Sequence, residues 1–153
     1  MSATSVIASA PLGSTIHYSD GQPRPPQRFR KKLEAWERLN GSGLLVQKSP
    51  ARKIGDRHSP PSFTLRTGVY GISGVPVLVV NHAFDTRSTL AFRIDAPPAG
   101  SVQVLTGEGE RAEHRFLAPC ADAARAWLLV HKYRDARLVE VLEGGVNPLP
   151  TAT

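Results

Sequence analysis

Cysteine is almost missing from this chain of 153 residues, and no long apolar run occurs in it. The single cysteine, Cys120, excludes an intramolecular disulfide bond and argues against a zinc site built on cysteine. No apolar stretch approaches the roughly 20 residues that a membrane-spanning helix needs. Residues 1–16 lack the cationic start and the apolar centre of a secretory signal, and we expect a mobile N-terminal tail there. These absences favour a cytoplasmic protein with no membrane partner.

The motifs of known catalytic and cofactor sites are also missing. The five histidines are scattered, and none forms an HxH, HxxxH or HExxH pair. No GxSxG, no phosphate-binding GxxxxGK[ST] and no GxGxxG after a strand is present. We therefore expect a non-enzymatic protein with no cofactor and no metal. One alternative stays open, which is an enzyme whose site is assembled in space around His17, Asp20 or His82.

Positive charge is confined to one region of the chain. Between Pro23 and Arg57 there are ten cations and three carboxylates, a balance of +7 in a chain whose net charge is +6. The remainder of the chain is therefore close to neutral. Segregated positive charge of this kind favours an anionic partner.

Two segments carry this charge. Residues 26–40 predict a basic amphipathic helix, because Phe29, Leu33, Trp36 and Leu39 recur at near-helical spacing and an Asn-Gly pair follows. Residues 48–62 contain three prolines, a glycine and several bases, and they predict a basic loop.

We expect the basic helix and loop to contact nucleic-acid phosphates, in DNA or RNA, with binding that weakens as salt is added. An acidic protein partner is the alternative, with the chain acting as a protein–protein interaction module or an inhibitor that uses the same surface. The candidate phosphate-binding residues are Arg28, Arg30, Lys31, Lys32, Lys48, Arg52 and Lys53.

The remaining pattern predicts an α+β fold with a single domain over residues 17–143. Short alternating segments and short connections indicate an antiparallel sheet of about four to six strands. The nearly continuous apolar run at 75–84 predicts a central strand buried on both faces. We expect the basic helix and a second helix, at about 120–133, to pack on this sheet. Residues 144–153 are expected to form a C-terminal tail.

The opening of the chain resembles a known group of proteins. The segments HYSDG (17–21), PRPP (23–26), RFRKKL (28–33) and AWE (35–37) resemble the start of short uncharacterised bacterial proteins encoded near mobile elements. The resemblance continues loosely through the strand region. It implies a cytoplasmic accessory protein of a mobile element, and it assigns no catalytic residue.

Overall fold

The computed structural model describes residues 1–73 and 75–150. In this part of the chain the α-helices are α1 (Ala3–Ser9), α2 (Arg30–Leu39) and α3 (Ala121–Val130). The strands are β1 (Thr15–Ser19), β2 (Gly41–Ser49), β3 (Arg52–Ile54), β4 (Arg57–Ser59), β5 (Ser62–Ile72), β6 (Val75–Asp85), β7 (Ala91–Asp95), β8 (Val102–Thr106), β9 (Glu113–Ala118), β10 (Arg137–Leu142) and β11 (Gly145–Leu149). A 3-10 turn, Gly109–Arg111, lies between β8 and β9.

Nine of these described strands form one antiparallel sheet. Its strand order is β11-β10-β8-β9-β2-β1-β7, and β5 pairs with both β2 and β6. The predicted α+β class, single domain and antiparallel pairing are confirmed, but the sheet has more than the four to six strands expected. Two of the additional strands, β1 and β11, are only five residues long, and such short segments give a weak alternation signal.

The expected C-terminal tail contributes β11. Its residues pair with β10, for example Val146 with Val141 and Leu149 with Leu138. Most of the strand is exposed, so its sequence carries little of the apolar alternation that marks a strand. Residues 151–153 of that expected tail lie outside the described residues.

One hydrophobic core gathers aromatic rings between β1, β5, β6 and β7. Phe63 is fully buried, and its ring centroid lies 5.5 Å from that of Phe84 and 5.4 Å from that of Phe92. Helix α1 packs against this cluster through Ala3 and Val6, where we expected a mobile tail. The small residues of α1 allow close packing on the rings, and this apolar contact orders a segment that its composition alone did not mark as helical.

A second core lies under α3. Val104, Ala118 and Leu138 of the sheet are buried against Ala124 of the helix. The predicted second helix is therefore confirmed in position, and its small residues bring it close to the strands. Trp127 and Phe116 extend this core towards the surface.

Strand β6 is not the central strand that its apolar run predicts. Among the described residues it pairs with β5 alone, and Leu78 and Val79 are exposed. Strand β5 pairs with β2 only as far as Arg66, so the residues beyond that point form a two-stranded arm outside the sheet. A short apolar run is equally compatible with a central strand and with such an arm, because periodicity does not distinguish them.

The basic helix does not pack on the sheet as expected. None of the residues in α2 is buried, and Leu33 and Trp36 are only half-buried. Hydrogen bonds attach the helix instead: Trp36 Nε1 donates to the carbonyl of Gln22 at 2.9 Å, and Asn40 Nδ2 donates to Asp20 Oδ1 at 2.9 Å. The helix is thus held at its C-terminal end and by the preceding loop.

Candidate functional site

The first turn of helix α2 concentrates exposed positive charge. Arg30, Lys31 and Lys32 form this turn without an acidic residue, Arg28 precedes them, and all four side chains are exposed. Phe29 is the N-cap residue, and no side chain caps the helix. The first N–H groups of a helix have no acceptor within it, and the helix dipole adds positive charge at this end. This end of α2 is therefore suited to an anion.

An aromatic ring lies among these cations. The Phe29 ring is 42% exposed, and the guanidinium carbon of Arg28 and Nζ of Lys32 lie 4.8 and 5.2 Å from its centroid. Such cation–π contacts hold flexible cations near the face of a ring. At an exposed site, each contact contributes about 0.5–1 kcal/mol. Cations and aromatic surface are thus presented together.

The expected basic loop is a β-hairpin with exposed cations. Strands β3 and β4 are exposed along their whole length, with Lys53 paired opposite His58. Gly55, with φ of 62°, provides the left-handed turn between them. Arg52 and Lys53 line a shallow surface depression together with Arg87.

Lys48 does not belong to this surface. Its Nζ donates a 2.9 Å hydrogen bond to the carbonyl of Ile7, and the side chain is half-buried. Burial lowers the pKa of Lys48 below its ordinary value. Among the candidate residues, Lys48 therefore links β2 to α1 and is not displayed to a partner.

The basic helix and the basic hairpin lie at opposite ends of β2. Helix α2 ends two residues before Gly41, and β3 begins three residues after Ser49. The nine residues of β2 span about 26 Å at a rise of about 3.3 Å per residue. The structure thus separates the candidate residues into two groups instead of a single patch.

The residues of the predicted enzyme alternative do not form the His17–Asp20 pair. His17 Nε2 lies 2.7 Å from Asp95 Oδ2, on the neighbouring strand β7. Asp20 instead accepts hydrogen bonds from the backbone N–H of Gln22 and from Asn40, and these bonds lower the pKa of Asp20. His82 lies on β6 opposite Leu65, away from the β1–β7 pair in strand order.

A cavity of about 410 Å³ opens on another part of the molecule, where β9 and α3 face the β5–β6 arm. His114 on β9 lines it and is only 1% exposed, yet neither ring nitrogen has a hydrogen-bond partner among the described residues. Burial, and then the charge of Arg66, lower the pKa of His114 from 6.5 to about 4. The imidazole is therefore neutral at pH 7.

Two arginines lie beside His114 in this cavity. Arg115 is balanced, because its NH1 lies 3.2 Å from Glu113 Oε1 and its Nε donates to Thr106 Oγ1 at 2.9 Å. Arg66 donates from NH1 to the carbonyl of Arg115 at 3.1 Å, but no carboxylate of the described residues lies within 4 Å of its guanidinium. Arg66 is thus a half-buried positive charge without an ion pair, and desolvation lowers its pKa.

Stacked rings form one wall of the cavity. The Trp127 ring is nearly parallel to the rings of Phe116, His131 and Tyr133, with centroid distances of 5.0, 4.1 and 5.9 Å. Tyr133 is 40% exposed, and the Arg115 guanidinium carbon lies 4.9 Å from its ring centroid. The sequence indicates part of this wall, since Trp127 and His131 share one face of α3.

Two kinds of feature are absent from the described residues. In residues 1–73 and 75–150, no group of three or more His, Cys, Asp or Glu side chains is placed to hold a metal ion. No helix in the same part of the chain is long and apolar enough to cross a membrane.

The fold and these surfaces define an α+β protein that carries a basic helix beside an antiparallel sheet and a cavity within it. A family model described as Uncharacterised conserved protein UCP036055 matches residues 1–144, and the chain belongs to this family. The resemblance to uncharacterised proteins is thereby confirmed. No curated protein and no solved structure matches the chain.

Proposed function

We propose that this protein is a non-enzymatic binding protein that contacts nucleic-acid phosphates through helix α2. The observation that carries the proposal is that α2 has no buried residue, although it holds an amphipathic pattern and four cations. A helix whose role was to complete the core would bury its apolar stripe, as α3 does. The exposed surface of α2 instead combines cations with aromatic surface.

The first turn of α2 supports a phosphate as the bound group. Three cations in this turn oppose the helix dipole, which by itself favours acidic residues there. A phosphate would accept hydrogen bonds from the uncapped N–H groups and would neutralise the repulsion among Arg30, Lys31 and Lys32. A single bound phosphate would thus accept hydrogen bonds from the uncapped N–H groups and offset the repulsion among the three cations.

The β3–β4 hairpin offers a second contact through Arg52 and Lys53. Successive phosphates of one strand in duplex DNA lie about 3.4 Å apart along the axis, so the length of β2 corresponds to about eight base pairs. A duplex longer than this tests whether Arg52 and Lys53 add to the contacts of α2. The role in a bacterial mobile element and the cytoplasmic location stay predictions.

The proposal is tested by fluorescence anisotropy with labelled duplex DNA, single-stranded DNA and RNA. If Arg28, Arg30, Lys31 and Lys32 each contact one phosphate, affinity for a duplex should fall about 150-fold between 50 and 200 mM salt, at a logarithmic slope of about −0.9 per contact. The double variant Lys31→Glu/Lys32→Glu should lose most of the binding at low salt.

A matched control reverses two exposed cations outside the basic region. Lys132→Glu/Arg134→Glu changes the net charge by the same amount and should bind nearly as well as the native protein. Equal losses in both double variants would show that only net charge matters. Unchanged binding by Lys31→Glu/Lys32→Glu would refute the assignment to α2.

The apolar stripe of α2 favours one second candidate, an acidic protein that receives the helix in a groove. Leu39 is 45% exposed and continues the stripe of half-buried Leu33 and Trp36. Recognition of that kind depends on apolar anchors at helical spacing. Leu33→Ser would then abolish capture of one stoichiometric partner, whereas phosphate binding would persist in the same variant.

A further inference from the structure

We propose that the cavity beside His114 binds a small organic anion that carries a planar ring. This site is separate from the basic surface of α2, and it uses other elements of the fold. Its volume of about 410 Å³ lies within the range of small-molecule sites, about 300–1,000 Å³.

The first observation behind this proposal is the charge of the cavity wall. Arg66 and Arg115 line the cavity against one carboxylate, that of Glu113. His114 lies in the same wall, but its ring nitrogens are closed to solvent, so it adds no hydrogen bond to a bound molecule. The excess of positive charge in the wall favours an anion.

The second observation is the charge of Arg66. Its guanidinium is half-buried, lines the same cavity, and has no ion-pair partner among the described residues. A charge removed from water without a partner is costly, and an anion in the cavity offsets that cost. The guanidinium presents a planar fork of N–H groups that matches two oxygens of a carboxylate or a phosphate. Glu113 also lines the cavity, and its carboxylate is paired with Arg115 at 3.2 Å.

The third observation is the shape of the opposite wall. Trp127, His131 and Tyr133 are stacked with their rings nearly parallel, and Tyr133 is 40% exposed, so it offers aromatic surface to a planar group. On the other side Val69 and Val79 of the arm supply apolar contacts. Stacking on such a surface contributes about 0.5–1.5 kcal/mol in pairs of aromatic side chains. The cavity therefore recognises a ring and an anionic group together.

The test uses the fluorescence of Trp127 in the full chain. The chain has two tryptophans, and Trp36→Phe leaves Trp127 as the only reporter. We titrate this variant with AMP, with benzoate and with inorganic phosphate, up to about 10 mM, which covers weak binding. We expect a saturable change with AMP or benzoate, and a response to phosphate that is at least about tenfold weaker. AMP and benzoate together distinguish phosphate from carboxylate as the preferred anion.

One substitution in the same background locates the binding. Arg66→Gln should weaken it at least about tenfold, as expected when a hydrogen bond to a charged group is lost. Arg125→Gln is the matched control, because Arg125 is a partly exposed arginine of α3 that does not line the cavity. Circular dichroism of each variant shows whether the fold is retained.

Several results would overturn the proposal. The first is that neither AMP nor benzoate gives a saturable response. The second is that inorganic phosphate binds as tightly as AMP and benzoate do. The third is that the Arg66→Gln variant is folded and keeps its full affinity. The double variant Lys31→Glu/Lys32→Glu should retain the response of Trp127. Its failure to bind nucleic acid would therefore leave this site intact, so the two proposals are tested independently.

Discussion

Replacing His114 with leucine should make the protein more stable, and the gain should grow as the pH falls. At pH 7 the variant removes two buried nitrogens that have no hydrogen-bond partner. No hydrogen bond offsets the cost of removing these nitrogens from water. Leaving a buried polar group unsatisfied costs about 1–3 kcal/mol, and leucine carries no such group. We therefore expect the free energy of unfolding to rise by about 1–3 kcal/mol at neutral pH.

The pH dependence follows from the pKa of His114, which burial lowers from 6.5 to about 4. Above pH 6.5 the imidazole is neutral in both the folded and the unfolded chain, so it makes no pH-dependent contribution. Between pH 6.5 and 4 the unfolded chain takes up a proton that the folded chain does not, and stability is lost as the pH falls. At about 1.4 kcal/mol per unit, the total loss is about 3 kcal/mol.

The assay is urea unfolding of the native protein and His114→Leu at pH 7, 6, 5 and 4.5. The difference between the two should widen by more than about 2 kcal/mol over this range. Measurements stop at 4.5 because hydrogen bonds lower the pKa of Asp20 and Asp85, whose titration adds to acid unfolding only at lower pH. That titration is common to both proteins and cancels in the difference.

The charged group that lowers the pKa of His114 is Arg66 on β5. Glu113 and Arg115 on β9, and His131 and Tyr133 after α3, line the same cavity. Arg66 remains charged over the whole range, so its effect on His114 is constant.

His58→Leu is the control, because His58 is exposed on β4 and should give a difference that does not widen. A constant difference between the native protein and His114→Leu from pH 7 to 4.5 would refute the burial argument.

Two further pairs of variants test the cores and the turns. Phe63→Ala should lower the free energy of unfolding by about 3–5 kcal/mol, because Phe63 is fully buried, whereas Leu33→Ala on α2 should cost less than about 1 kcal/mol; urea unfolding compares them. Gly13→Ala should cost about 1–3 kcal/mol more than Gly21→Ala in thermal unfolding. Both glycines have positive φ, but a Cβ at Gly13 would lie 2.5 Å from Nε2 of Gln103, and one at Gly21 meets nothing within 4 Å; equal costs would contradict this.

Local patterns in the sequence predicted most of the elements that alternate or repeat over several residues. The strand at Ala91–Asp95 and the helix that carries Trp127 follow from their own periodicity. The position of β6 in the sheet could not be predicted from the sequence, because a continuous apolar run does not indicate how many neighbouring strands a strand pairs with. The exposure of α2 could not be predicted from the sequence either. An amphipathic stripe predicts that a helix packs its apolar face on a neighbouring sheet.

The cavity was not predictable from any one segment. His114 and Arg66 lie on different strands and are 48 residues apart in the chain, and neither lies in a motif of known chemistry. Only the pairing of β2 with both β5 and β9 brings their elements together. A solitary buried histidine in a strand also gives no signal in the sequence that its nitrogens will lack partners.

The weak attachment of helix α2 has a consequence for how this protein changes over time. Asn40 and Trp36 hold the helix by a few hydrogen bonds, and none of its residues completes a core. Its opening therefore costs much less free energy than unfolding of the sheet, and its amides should exchange with solvent first. Substitutions in its outward-facing residues leave the fold almost untouched, so that selection can alter what the helix recognises while the scaffold stays the same.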